Sequence, residues 1–290
     1  MAAKAKQKTT IKKAAKKSST KAKKAAPSIA RTLHHRVTAG RSHRGQTLPG
    51  MHRTTKMTHA GATAHFDVSY LTSLGQKGAA LATAILQDCE RDYTTLQQAF
   101  GGITPERLPF VVQITSDNTG ASHSSCMGTD VSVGGKSAAN VDFIRSLLVA
   151  EADEVFMANF GHGWDCGASN GEGLSRVLAN DIYKGVEPAN FISSSVWLSL
   201  NPRPNFVDQT DPTDTSYPSI GCSVLFLNWL RFQLNYSWAK IIGAGGATLA
   251  ATYKNLTGKS TGWNDFAAAI NAKFPPGPKY NLATDNPFPL

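Results

Sequence analysis

Three carboxylates set in a nearly apolar stretch are the residues best placed to do chemistry. Glu151, Asp153 and Glu154 fall inside Asn140 to Ala158, NVDFIRSLLVAEADEVFMA, with Glu151 flanked by Ala150 and Ala152. At about 100° per residue on a helix, Glu151 and Glu154 come within roughly 60° of each other and share a face. Burying carboxylates without partners is expensive. Either they lie on a solvated face and pair with Arg145, Arg176 or lysines, or they build a site. Glu172, in Gly171-Glu172-Gly173-Leu174-Ser175-Arg176, comes eighteen residues after Glu154 and is able to converge with them. Carboxylates forced together raise one pKa, which furnishes an acid and a base without metal, as in glycoside chemistry.

Several elements must position these groups. The alternation of Phe66, Val68 and Tyr70 predicts a strand that opens the folded domain. Gly78 to Phe100 carries Leu81, Ile85, Cys89, Tyr93 and Leu96 at helical spacing and stops at Gly101-Gly102. Pro109 to Ile114 reads as a buried strand, followed by a Gly/Ser-rich loop with His123 and a short strand over Thr129 to Val133. The carboxylate stretch is the strongest helix pattern of the chain. A second helix opens at Glu172, and Ser223 to Leu234, Trp238 to Ile242 and Trp263 to Lys273 extend a helical region. The fold class expected is α+β: a small mixed sheet with packed helices, then a helical subdomain. The boundaries are a disordered basic tail over 1–27, an irregular basic arm over 28–63 and a folded domain over 64–273, divided at 160/161 into sheet with central helix and helical subdomain. A Pro-rich extension covers 274–290.

This order of elements, with Phe-Gly-Gly closing the first long helix and Gly-Glu-Gly-Leu after the second, resembles the gluzincin metallopeptidases, and the likeness spans roughly residues 64 to 270. That family carries His-Glu-x-x-His on its central helix and a Glu on the next as third zinc ligand. The resemblance implies a zincin-like fold and a cleft for a peptide or protein ligand. It implies Glu151 as the catalytic carboxylate, Glu154 in place of the second His and Glu172 as third ligand, with Trp164 and Gly173-Leu174-Ser175 also matching. Tyr217, beside Pro218, stands where such enzymes sometimes place a phenol to stabilise an oxyanion. Ala150 takes the position of the first His and binds no metal. The motif is degenerate, AEADE for HExxH, and a carboxylate set suits harder cations better than zinc. Three outcomes remain: a pseudoenzyme that kept the scaffold for binding, a remodelled hydrolase using Glu151 as base with other groups, or a metal site completed elsewhere, for instance by His162 or His123; the cofactor is then one divalent ion, zinc or a harder cation, or none.

Charge supplies the other functional lead. Residues 1–66 hold 16 Lys and Arg and no Asp or Glu; the remainder holds 14 basic and 20 acidic residues, so the net +10 is +16 − 6. Lys12, Lys13, Lys16, Lys17, Lys21, Lys23 and Lys24 form a low-complexity run that attracts nucleic acid or another polyanion without reading sequence. An alternative function is therefore a binding protein working through this tail. No apolar run is long enough to cross a membrane and no signal peptide is visible, so the expected location is cytoplasmic, with export by another route left open. Cys89, Cys126, Cys166 and Cys222 lack paired spacing and read as free thiols. Asp208, Asp211 and Asp214 lack the spacing of a calcium loop and read as solvated.

Overall fold

The computed structural model describes residues 56–115, 120–135 and 140–290. The Lys-rich tail and most of the basic arm lie outside the described residues. Five strands form one mixed sheet: β1 (Met57–Ala62), β2 (Phe66–Leu71), β3 (Phe110–Thr115), β4 (Ala121–His123) and β5 (Asp130–Gly134). Their spatial order is β1-β2-β3-β5-β4, with β2, β3 and β5 parallel and both edge strands antiparallel to their neighbours. The α+β expectation holds.

Three details differ from the sequence reading. Residues 57–62, assigned to the irregular arm, form β1, because the polar MTHAGA segment takes its order from pairing with β2 rather than from any alternation of its own. β3 is buried on one face only: Phe110, Val112 and Ile114 point inward while Val111 is 40% exposed. Ala121–His123, read as loop, is the edge strand β4, with His123 paired to Val131.

Helix α1 (Gly75–Ala99) crosses from β2 to β3 and packs on β1, β2 and β3, while α2 (Val141–Phe160) lies beside it against β4 and β5. At the end of α1 the Gly102 amide donates to the Gln97 carbonyl at 2.8 Å, and Gly101 and Gly102 take φ of 71° and 87°, which glycine adopts without a Cβ clash. Helix α2 starts at Asn140, whose side chain accepts from the amides of Asp142 and Phe143. It is buried on most sides, between the sheet and α3 (Ser169–Ile182).

The remainder is helical: α4 (Ser194–Leu198), α5 (Tyr217–Asn228) running into a π turn at Trp229–Gln233, α6 (Trp238–Gly243), α7 (Leu249–Thr257) and α8 (Gly262–Lys273). α3 packs on α5, and Gly173 leaves room for Ser223, whose Cβ an added methyl would meet at 2.6 Å. The Pro-rich C-terminal segment is pinned by polar contacts. Asp285, 1% exposed, accepts from the Ser194 amide at 2.7 Å and from the Ser193 hydroxyl at 3.2 Å, and the Asn228 side chain donates to its carbonyl.

Candidate functional site

The carboxylates converge and are not on a solvated face. Glu154 is buried, and its Oε2 lies 2.7 Å from His123 Nε2, with Glu151 Oε2 3.7 Å from the same nitrogen. Glu172 lines the same cleft and is near enough for its charge to raise the Glu154 pKa. Helix periodicity brings Glu151 and Glu154 together, and the α2–α3 packing adds Glu172. Neither Arg145 nor Arg176, the expected partners on a solvated face, is ion-paired with Glu151 or Glu154. Arg145 pairs with Asp88 and Asp142, and Arg176 with Glu172 at 2.8 Å.

The four groups line a cleft of about 270 Å³ together with Ser122, Cys126, Cys166, Asp214 and Thr215. Burial, followed by the like charge of Glu154, pushes the Glu151 pKa well above the ordinary carboxylate value, although His123 opposes the shift. Burial and the like charges of Glu172 and Asp153 do the same to Glu154. Burial works against the charge of Arg176, but Glu172 outweighs it and the Arg176 pKa is raised. A smaller pocket of about 70 Å³ adjoins, lined by Phe143, Leu147, Ala150, Phe191, Arg176 and Glu187 as well as the shared glutamates. Ala150, at the position of the family's first His, thus contributes apolar wall. Burial raises Glu187 from 4.5 to about 8.

Of the two histidines considered, His123 enters the site and His162 does not: His162 is exposed, has φ of 59° and stacks on Phe160. Tyr217 heads α5 with Arg176 over its ring at 5.5 Å and lines neither pocket. Trp164 is buried and donates from Nε1 to the Ile242 carbonyl. Asp214 was read as solvated, yet it lines the cleft; Asp208 holds Asn205 instead.

Two cysteines correct the reading of four free thiols. Cys126 and Cys166 form a disulfide, Cα–Cα 5.9 Å, because the turn after β4 and the loop before α3 meet at the cleft; Cys89 and Cys222 are free and buried. Asp153, fully buried on α2, has no hydrogen-bond partner on either oxygen among the described residues, and burial pushes its pKa well above the ordinary value.

Some of these side chains could hold a metal ion. His123, Glu154 and Cys166 place donor atoms within 4.8 Å of one another, as do Cys126, Asp165 and Cys166. No helix among the described residues is long and apolar enough to cross a membrane. No family model, curated protein or solved structure matches the chain.

The electrostatics predict a pH dependence. Glu151, Asp153, Glu154 and Glu187 all have raised folded-state pKa values, so their contribution to stability is complete below the ordinary carboxylate pKa and is lost as pH rises through the folded values. For Glu187 that window runs from 4.5 to about 8. Urea midpoints of metal-free protein should fall across it. Glu187→Gln should flatten the fall by a few kcal/mol at most, since a tenfold change in proton affinity is worth about 1.4 kcal/mol. An unchanged slope would mean that Glu187 is not held neutral.

Proposed function

We propose that the cleft is a metal-assisted hydrolytic site related in layout to gluzincin metallopeptidases but rebuilt around different ligands. His123, Glu154 and Glu172 hold one divalent cation, and Glu151 is the general base. The observation that carries this reading is His123, delivered by an edge strand to 2.7 Å from Glu154, the residue standing where the family has its second His. A cation bound there would supply Lewis-acid polarisation of a carbonyl and a more acidic water.

The chain's own residues supply the rest. Glu151 lies farther from His123 than Glu154 does, which leaves its carboxylate free to take a proton from water and return it to a leaving group. Burial raises its pKa, which strengthens it as a proton acceptor. Arg176 fixes one Glu172 oxygen from outside the cleft and so orients the other. Ala121, Ser122 and His123 place a sheet edge along the cleft, where an extended peptide would add as a further strand. The substrate class is therefore a peptide.

The test is metal content and peptide cleavage by the intact protein, with Glu151→Gln beside it. The expected result is about one equivalent of metal in both proteins and hydrolysis lowered about 10²- to 10⁴-fold in the variant, the span of a general base. Protein that takes up no divalent cation, or cleavage indifferent to Glu151, would overturn the reading.

A further inference from the structure

The cleft rim holds a disulfide in an unusual place. Cys166 Sγ, a nitrogen of His123 and an oxygen of Glu154 all lie within 4.8 Å of one another, and so do Cys166 Sγ, Cys126 Sγ and an oxygen of Asp165. Both sulfurs line the same cleft as Glu151, Glu154 and Glu172. While the S–S bond stands, neither sulfur is a thiolate and neither binds metal strongly. Once it opens, the Cys166 thiol joins the His123 imidazole and the Glu154 carboxylate around one point. Ions held at about 2.0–2.3 Å from nitrogen, oxygen and sulfur donors need only a modest closing of side chains to engage them.

We propose that the Cys126–Cys166 disulfide is a redox switch on the metal preference of this cleft: reduction creates a thiolate site, Cys166 with His123 and Glu154, for a zinc-like cation. The oxidised cleft offers imidazole and carboxylates only, a set open to harder ions; the reduced cleft adds a soft donor that selects zinc, cobalt or cadmium. A dithiol reductant supplies the change. It gives two electrons and two protons to the S–S bond, becomes a cyclic disulfide and leaves two protein thiols, and the Cys166 proton passes to solvent as the cation binds. Because His123 and Glu154 serve both states, the inference rests on the cation-site reading through those two residues alone.

Other sulfur and carboxylate groups carry less. Cys89 and Cys222 are buried, and neither they nor Asp153 line the cleft or the smaller pocket beside it. They serve as internal controls.

Cobalt(II) titration of the full chain tests the switch through thiolate-to-metal charge-transfer absorption. Oxidised protein should show none, and protein treated with a dithiol and freed of it should show a band. Cys126→Ser should show the band with no reductant, because Cys166 is then a free thiol. The double variant Cys126→Ser/Cys166→Ser should show none and bind zinc at least about 100-fold more weakly than Cys126→Ser, since even an indirect partner of a metal ligand is worth 10- to 100-fold. Both variants lack the cross-link, so a difference between them reports the Cys166 sulfur and not lost stability. Equal affinity in the two, or a band that persists in the double variant, would overturn the proposal. Metal uptake by Cys126→Ser with none by oxidised protein would sink the hydrolytic reading and leave the thiolate site standing. The reverse result would do the opposite.

Discussion

Replacing His123 by Ala should lower the affinity of the oxidised protein for manganese or zinc by at least about 100-fold, with little change in secondary structure. His123 is the one nitrogen donor facing Glu154 and Glu151 in the cleft, and its Nδ1 has no hydrogen-bond partner among the described residues, so its ring interacts with the carboxylates through Nε2. Without it, carboxylates whose pKa values are already raised by burial and mutual repulsion lose the imidazole that opposes the shift on Glu151. The apparent affinity should also become more steeply pH-dependent, because the cation must then displace more protons. Calorimetric titration at two pH values measures both effects. Undiminished affinity in His123→Ala would place the cation elsewhere, and the assignment of His123 as ligand would fall.

The second large effect is expected from Gly171→Ala. A Cβ at Gly171 would overlap the Asp165 carbonyl oxygen and carbon, so the loop before α3 or the helix itself must move. Overpacking of this kind destabilises by about 1–3 kcal/mol, and more where backbone must yield. The damage reaches the site directly, because Glu172 follows Gly171 and the disulfide cysteine Cys166 follows Asp165. Metal affinity should therefore fall together with the thermal midpoint. Gly243→Ala is the control: a Cβ there meets nothing within 4 Å, and its stability should stay within about 0.5 kcal/mol of the parent. Equal behaviour of the two variants would show that the close approach at Gly171 is relieved at no cost.

These two residues mark the limit of what the chain discloses in one dimension. Gly171 and Gly173 on either side of Glu172 are visible as a motif, but their reason, contact with Asp165 and Ser223, involves loop and helix packing that no spacing encodes. Helix α1 with its Gly-Gly stop and the long apolar α2, capped by Asn140, are legible because local periodicity and end signals decide them, whereas α3 opens at Ser169 without a side-chain cap, ahead of the start expected at Glu172. The shared face of Glu151 and Glu154 follows from the same 3.6-residue geometry. Short elements were less legible. β1 and β4 have neither length nor alternation, and they exist because a neighbouring strand offers them hydrogen bonds.

What the sequence by itself determined is the α+β class, the central helix and the shared face of Glu151 and Glu154 on it, while the packing of α3 on α2 brought Glu172 to them. Tertiary structure decided the composition of the site. It selected His123 over His162 because β4 pairs along the edge of the sheet, and it drew Asp214 from a loop to the cleft wall. It also paired Cys126 with Cys166 across 40 residues. The physical reason is common to all three: loop closure brings together groups far apart in the chain, and its outcome depends on the packing of the sheet and helices as a whole rather than on the residues beside each group.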